Sequence, residues 1–196
     1  MPIYFKGNPN DYSKGILAKS QLSGGGPFQS SRSTLASFYN VTNLFIGGNL
    51  TFKNPSFHGL QVDYCNNVAI INNRILTYAV TNGDGIDLGS SSNVQLLNNL
   101  LDTGDDALSL AAGAGRIGEN GKPTECILMR NNYIRHSHGA PSAGSHTAAW
   151  IKNLLVEVFR QIKIIVYSKA PRKGLPRNKE LSLANYLTYS LKHMEK

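Results

Sequence analysis

Short aliphatic runs, each headed by a polar residue, recur along the chain at similar intervals. The aligned head positions are Asn43, Asn67, Asn93, Cys126 and Asn153, which are separated by steps of 24, 26, 33 and 27 residues. The runs are too short and too rich in β-branched residues for helices, so each predicts a strand. A repeat of this length predicts a solenoid in which every repeat forms one coil.

Paired asparagines recur at intervals similar to those of the aliphatic runs and support the same repeat. They are Asn72-Asn73, Asn98-Asn99 and Asn131-Asn132. Asparagine tolerates left-handed backbone at corners, and stacked asparagine side chains can bond in a ladder. The pattern predicts an all-β fold, a single-stranded parallel β-helix with coils about 4.8 Å apart. A generic β-sandwich is the alternative, and the Gly-rich stretch Ala111 to Pro123 reads as an inserted loop.

Residues 1–159 are predicted to form a partial β-helix catalytic domain, and residues 160–196 a basic C-terminal segment that is not a regular coil. The net charge is +8, and residues 160–196 carry nine Lys or Arg against two Glu, which gives +7. The rest of the chain is nearly neutral, so nucleic-acid binding is not expected. A polyanionic sugar acid is another possible partner for these charges. Glu180 to Met194 could form a short amphipathic helix.

Few other features narrow the class of protein. Cys65 and Cys126 lie far apart without metal-site spacing, and buried free thiols are favoured over a disulfide. No apolar run approaches 18 residues, so no membrane span is expected. The first residues lack a signal-peptide pattern, so either the protein is intracellular or the numbering begins inside a longer chain.

Three clusters carry the candidate chemistry. They are Asn82-Gly83-Asp84-Gly85-Ile86-Asp87, Thr103-Gly104-Asp105-Asp106, and the stretch from Ser137 to Ser145 that contains His138-Gly139. Their spacing is close to one coil, with the inserted loop added before the third. The clusters are therefore expected to meet in one cleft on neighbouring coils.

Carboxylates held close together repel, and this raises at least one pKa. Separated pKa values give one protonated acid and one ionised base at the same pH, which is what an inverting glycosidase needs across a gap of about 6.5–9.5 Å. The first two clusters alone are as well explained by turns, and Gly104-Asp105-Asp106 also by a calcium loop. His138 alone is as well explained as a surface or core histidine whose hydrogen bonds are satisfied. The ordered set at coil spacing favours catalysis.

The ordered motifs resemble the polygalacturonase family, glycoside hydrolase family 28. Asn82-Gly83-Asp84-Gly85 is similar to its Asn-Thr-Asp-Gly motif, Asp105-Asp106 to Asp-Asp, and His138-Gly139 to Gly-His-Gly. The likeness covers roughly residues 30–160. It implies a right-handed parallel β-helix that hydrolyses α-1,4-galacturonosyl bonds of pectin with inversion.

The resemblance also implies residue roles. Asp105 would be the general acid, Asp84 and Asp106 would hold and activate the water, and His138 would tune the acid or contact sugar. Asn82, Gly139 and Lys169 would contact the substrate.

The family's Arg-x-Lys motif is incomplete here, because Tyr167 stands where the arginine is expected. The chain thus resembles a truncated or frame-shifted bacterial member. An inactive remnant that at most binds oligogalacturonides is the alternative function. A calcium-dependent pectate lyase would need a well-placed base, and Arg116 and Arg135 are poor candidates. The resemblance implies a monomer without cofactor or metal that is secreted or periplasmic.

Overall fold

The computed structural model describes residues 4–6, 32–144 and 146–157, and nearly all of its regular structure is strand. In chain order the strands are β1 (Tyr4–Lys6), β2 (Ala36–Tyr39), β3 (Thr42–Gly47), β4 (Thr51–Lys53), β5 (Leu60–Asp63), β6 (Asn66–Ile71), β7 (Arg74–Leu76), β8 (Ile86–Gly89), β9 (Ser92–Leu97), β10 (Leu100–Asp102), β11 (Leu108–Ala111), β12 (Thr124–Arg130), β13 (Tyr133–Ile134), β14 (Ser142–Ala143) and β15 (Ile151–Glu157).

The strands form three five-stranded parallel sheets. Sheet A has the order β1-β4-β7-β10-β13, sheet B β14-β11-β8-β5-β2 and sheet C β15-β12-β9-β6-β3. Consecutive coils each add one strand to each sheet, and neighbouring strands are parallel throughout. This is a β-solenoid of the parallel β-helix type, so the predicted fold class is confirmed.

The predicted coil register is also confirmed at the corner that leads into sheet C. All five aligned head residues have positive φ, namely Asn43 (62°), Asn67 (56°), Asn93 (55°), Cys126 (58°) and Asn153 (51°). Left-handed backbone is costly for most residues, and asparagine adopts it more readily than they do. The recurrence of asparagine in the sequence therefore marks the same backbone corner on successive coils.

The second asparagine of each pair forms the predicted ladder inside the stack. Asn73, Asn99 and Asn132 are buried. The Asn99 carboxamide oxygen accepts from the Asn73 backbone N–H at 3.0 Å, and the Asn132 oxygen accepts from the Asn99 N–H at 3.0 Å. Their amide groups donate to the carbonyls of Ile46, Ile70 and Leu96. The ladder satisfies backbone groups that burial would otherwise leave unpaired.

Alternation in sheet B decides which side chains face outward. The buried residues of β5, β8 and β11 stack in register inside the solenoid, as in the row Val62, Leu88 and Leu110. The residues between them point outward, and one such row contains Gln61, Asp87 and Ser109. Sheet B therefore presents polar side chains on its outer face, including the carboxyls of Asp63 and Asp87.

The inserted loop lies between β11 and β12 and contains one short helix, α1 (Gly115–Gly118). Its base is tied to the next coil, because Gly113 and Ala112 accept from the N–H groups of Ala148 and Ala149. Among the described residues no helix has the length and apolar character needed to cross a membrane.

One prediction about the cysteines is wrong. Both are free thiols, as favoured, but only Cys65 is buried, whereas Cys126 is exposed at a left-handed corner. Its thiol lies 3.8 Å from the Asn153 amide, at the end of an outward-facing polar row. The basic segment 160–196, with its possible helix, lies outside the described residues.

Candidate active site

All three sequence clusters lie where the chain passes from sheet A to sheet B. Asp84 precedes β8, Asp105 and Asp106 lie between β10 and β11, and His138 lies between β13 and β14. Because the coils stack in register, the same corner of three successive coils carries all four side chains. The sequence expectation that the clusters meet is thus met by the geometry.

Backbone hydrogen bonds join these corners directly. The N–H groups of Gly104 and Asp105 donate to the carbonyl of Gly83, and the Gly85 N–H donates to the Asp106 carbonyl at 2.8 Å. The His138 N–H donates to the Asp105 carbonyl at 2.9 Å. These bonds fix the corners at one coil spacing and therefore hold their side chains close together.

Gly85 permits a close approach between two of these coils. A Cβ added to it would lie 2.6 Å from the carbonyl oxygen of Ala107 and 2.9 Å from Cγ2 of Thr103. Real Cβ atoms do not come so near backbone oxygen, so a side chain here would push the Asp84 coil away from the Asp105–Asp106 coil. The glycine that follows Asp84 is required by this packing.

Asp84 is the most buried carboxyl of the group, with 9% of its surface exposed. Burial raises its pKa to about 10, and the negative charges of Asp87, Asp105 and Asp106 add to the effect. Both causes disfavour the ionised form. At neutral pH Asp84 therefore holds a proton in the free protein, and once ionised it is a strong base.

Asp106 has a milder environment. Burial raises its pKa, the Ser142 hydroxyl opposes that rise, and Asp105 adds to it while His138 lowers it. The same corner thus contains carboxyls whose affinities for protons are pushed apart. This is the electrostatic condition for acid and base to coexist at one pH.

Asp105 is the more accessible carboxyl, with 28% of its side chain exposed. His138 Nδ1 lies 3.1 Å from its Oδ1 atom. The Asn82 amide donates to its Oδ2 atom at 3.5 Å. Both carboxylate oxygens are therefore oriented by neighbours, and Asp105 remains open to the outer surface.

Two residues of the site, Arg32 and His58, were missed from sequence, and Asp87 was part of the first cluster without a role. Arg32, which is buried, donates to the Asn82 side-chain oxygen at 3.1 Å and to the Thr81 carbonyl at 2.8 Å. Asp87 projects outward from β8, and its Oδ2 atom lies 2.8 Å from His58 Nδ1. One atom from each of His58, Asp84 and Asp87 lies within 4.8 Å of the others.

A sequence signal for His58 did exist. His58, Asp84 and Asp106 each stand two residues before the mutually paired Leu60, Ile86 and Leu108, so they occupy one column of the solenoid. Each is followed by a small residue, Gly59, Gly85 or Ala107. The step of 26 residues from His58 to Asp84 equals the step from Asn67 to Asn93.

The other predicted residues fall in different places. Gly139 is buried, and its carbonyl accepts from the Ala107 N–H at 2.8 Å, so it supports the acidic corner from the next coil. Arg116 is exposed on α1, and Arg135 lies 3.5 Å from Asp102. Lys169 and Tyr167 lie outside the described residues.

The family assignment follows from comparison with known proteins. The model of the family described as glycosyl hydrolases family 28 matches residues 28–162. The chain belongs to glycosyl hydrolase family 28. The match contains the whole acidic corner and the asparagine ladder, so the family likeness and the site geometry concern the same residues.

Several known proteins are also similar to this chain in sequence. An exo-poly-alpha-D-galacturonosidase from Dickeya chrysanthemi is 35% identical over 168 residues, which cover 80% of this chain and 27% of the relative. A polygalacturonase from Ralstonia solanacearum is 38% identical over 77 residues, covering 39% of this chain and 13% of that protein.

A solved structure of a family 28 exopolygalacturonase from Yersinia enterocolitica superimposes with a TM-score of 0.65 at 38% identity, covering 79% of this chain and 28% of that one. This chain thus spans about a quarter of the length of these long relatives. The residues matched by the family model, 28–162, include all three sequence clusters.

Proposed function

We propose that this family 28 chain hydrolyses α-1,4-galacturonosyl bonds of polygalacturonate or a related uronic-acid glycan, with inversion at the anomeric carbon. One observation carries the proposal: carboxyls with unequal proton affinity share the corner of two adjoining coils, and one of them opens to the outer surface. The proposal is supported by the names of the relatives from Dickeya chrysanthemi and Yersinia enterocolitica, which refer to the same kind of substrate.

Asp105 is proposed as the general acid. It is more exposed than Asp84, and His138 and Asn82 orient its two oxygens. Its carboxyl proton passes to the glycosidic oxygen as the bond from that oxygen to the anomeric carbon breaks. The leaving sugar departs as a neutral alcohol, which lowers the barrier to cleavage.

Asp84 and Asp106 are proposed to hold the attacking water between them. The water oxygen forms the new bond to the anomeric carbon from the opposite face, and its proton passes to the ionised member of the pair Asp84 and Asp106. Asn82 and Lys169 are proposed to contact the substrate, whereas Gly139 is buried and is proposed to support the corner through its carbonyl.

The test is a reducing-sugar assay on polygalacturonate with the wild-type chain and the Asp105→Asn variant. We expect activity in the wild type and a loss of at least about 100-fold in the variant, since general acid catalysis contributes roughly 10²–10⁴-fold. The anomeric configuration of the first product, read by proton NMR, reports inversion. Turnover that survives Asp105→Asn would reject Asp105 as the acid.

An inactive chain that binds oligogalacturonides is the second candidate. It is favoured by the incomplete Arg-x-Lys motif, in which Tyr167 stands where the arginine is expected. Calorimetric titration with a galacturonate trimer separates the two candidates. Binding without turnover selects the second one, and an inverted product selects the first.

A further inference from the structure

An exposed aromatic pair lies beside the acidic corner and has no part in the proposed reaction. Tyr78 lies after β7 and His136 after β13, so they come from the coils on either side of the one that carries Asp105. Their ring centroids are 4.3 Å apart, with an angle of 33° between the ring planes. Because neighbouring coils lie about 4.8 Å apart, both side chains lean over the middle coil to meet. The pair therefore forms an aromatic surface that spans three coils.

Backbone contacts fix this aromatic pair relative to the proposed acid. A Cβ added to Gly104 would lie 2.9 Å from the carbonyl oxygen of Tyr78, so the glycine lets the Tyr78 loop approach the Asp105 coil closely. On the other side, the Thr103 N–H donates to the His136 carbonyl at 2.9 Å. The Thr103 hydroxyl lies 2.9 Å from the Asp105 carbonyl oxygen. A ligand on the aromatic pair would therefore lie next to Asp105.

The aromatic pair is open to solvent and suits the face of a sugar. Tyr78 is 58% exposed, and 45% of the His136 side chain is exposed. One face of a galacto-configured sugar ring carries only C–H bonds, and such a face stacks on an aromatic ring. Both surfaces are apolar and leave water on contact, which favours binding.

Arg135 adds a cation next to this aromatic surface. It directly precedes His136, and 63% of its side chain is exposed. Its Nη1 atom lies 3.5 Å from Asp102 Oδ2, while Asp102 Oδ1 lies 2.8 Å from His136 Nδ1, so one carboxylate holds both neighbours. An exposed ion pair of this length contributes little to stability. The guanidinium of Arg135 is therefore able to bind a second anion.

A polyanionic substrate needs a cation at this corner. The carboxyls of Asp84, Asp105 and Asp106 lie together there and repel the carboxylates of a uronic-acid glycan. Tyr167 stands where the arginine of the Arg-x-Lys motif is expected, so that motif supplies one cation fewer. A guanidinium binds a carboxylate through two parallel N–H···O bonds. Arg135 offers such a group on the sheet A side of the corner.

We propose that Tyr78, His136 and Arg135 form a subsite for one uronosyl unit of the substrate, on the sheet A side of Asp105. The C–H face of the sugar stacks on Tyr78, and its carboxylate accepts from the Arg135 guanidinium. His136 is a positioning residue, because its ring supports Tyr78 and its Nδ1 atom is held by Asp102. This inference rests on the proposed function for the class of substrate.

The two contacts of this subsite respond differently to methyl esterification of the substrate. An ester has no negative charge for Arg135 to bind, but its sugar ring keeps the C–H face that stacks on Tyr78. Arg135 should therefore distinguish the free acid from the methyl ester, whereas Tyr78 should contribute equally to the binding of both. A residue that only stabilises the fold would affect both ligands alike.

The experiment is calorimetric titration of the full chain with a galacturonate trimer and with its methyl ester, at fixed pH and ionic strength. Asp105→Asn serves as the parent protein, so that the ligand is not consumed. We expect Arg135→Met to raise the Kd of the acid about tenfold and that of the ester less than twofold. Tyr78→Ala should raise both Kd values about fivefold. Unchanged Kd values in Tyr78→Ala, or equal losses for acid and ester in Arg135→Met, would overturn the proposal.

Two matched controls test the place and the nature of the stacking contact. Tyr78→Phe keeps the ring and should bind both trimers within twofold of the parent. Tyr39 also forms an exposed ring pair, with Tyr64 at a centroid distance of 5.5 Å, but at the other end of sheet B. Tyr39→Ala should leave both Kd values unchanged, and a loss equal to that in Tyr78→Ala would refute the location. If Tyr78→Ala does not fold, Tyr78→Leu replaces it, because leucine is apolar but lacks a flat ring.

Failure of this inference can be separated from failure of the proposed function. If the wild-type chain hydrolyses polygalacturonate but the Tyr78 and Arg135 variants bind both trimers as the parent does, only the subsite is wrong. If the wild-type chain has no turnover but the expected binding pattern is measured, the hydrolase proposal fails and the subsite stands. A parent protein that binds neither trimer at millimolar concentration would overturn the subsite, whatever its activity.

Discussion

Replacing Asp84 with asparagine should stabilise the fold at neutral pH. In the unfolded chain Asp84 ionises at its ordinary pKa of 3.8, whereas in the folded protein burial and its acidic neighbours raise the pKa to about 10. Folding at pH 7 therefore takes up one proton. Asparagine is neutral in both states and avoids this uptake.

The magnitude follows from linkage between protonation and folding. A group whose folded pKa is raised contributes full stability below its unfolded pKa, and that contribution is lost as the pH rises toward the folded value. Each pH unit between 3.8 and 7 costs 1.36 kcal/mol, which gives at most about 4 kcal/mol at pH 7. The stability difference between the variant and the wild type should be near zero below pH 4 and should grow steadily toward pH 7.

The assay is urea unfolding of both proteins followed by circular dichroism at pH 4, 5.5 and 7. Any fixed packing change caused by the amide shifts all three values equally, so the slope with pH isolates the electrostatic cost. Asp102→Asn is the control, because Asp102 contacts His136 and Arg135 instead of other carboxyls. A pH-independent difference for Asp84→Asn, or one below about 1 kcal/mol at pH 7, would refute the reasoning.

Three further variants test the scaffold and the site. Asn99→Ala removes buried ladder bonds and should lower the free energy of unfolding in urea by about 2–4 kcal/mol. Asn93→Gly, on the exposed ladder, should lower it by less than about 1 kcal/mol. Equal losses in the two variants would contradict the ladder's role. Gly85→Ala should destabilise by about 1–3 kcal/mol through the clash described above, and an unaltered unfolding midpoint would count against it. Arg32→Met should lower kcat/KM roughly tenfold or more by releasing Asn82, since a hydrogen bond to a charged group is worth about 1.5–3 kcal/mol, and unchanged kinetics would exclude that link.

The coil register could be predicted from sequence because one backbone requirement recurs on every coil. A left-handed corner favours asparagine, so the spacing of Asn43, Asn67 and Asn93 gives the length of one coil before the fold is known. Cys126 shows the limit of the rule. It meets the same backbone requirement at an exposed position, where general statistics on cysteine burial predict the wrong environment.

Residues that reach the site from other coils were harder to find. Arg32 lies 50 residues before Asn82, and no asparagine pair precedes it to mark its coil. Asp87 was visible within the first acidic cluster, but its partnership with His58 depends on strand alternation in sheet B. Contacts along the stacking direction join residues that lie one or two coils apart. Sequence spacing predicts such contacts only once the register of the coils is known.

Backbone bonding along the stacking direction also explains how several carboxyls can be held close together despite their mutual repulsion. The column of His58, Asp84 and Asp106 is held by backbone bonds such as Gly85 N–H to the Asp106 carbonyl, which form whatever the side chains carry. The ladder and the apolar interior stabilise that stacking, so the fold can tolerate the repulsion at one corner. The acidic corner therefore lowers the stability of the fold in exchange for carboxyls with altered proton affinity. This loss in the free energy of unfolding should appear only at pH values above the ordinary pKa range of carboxyls.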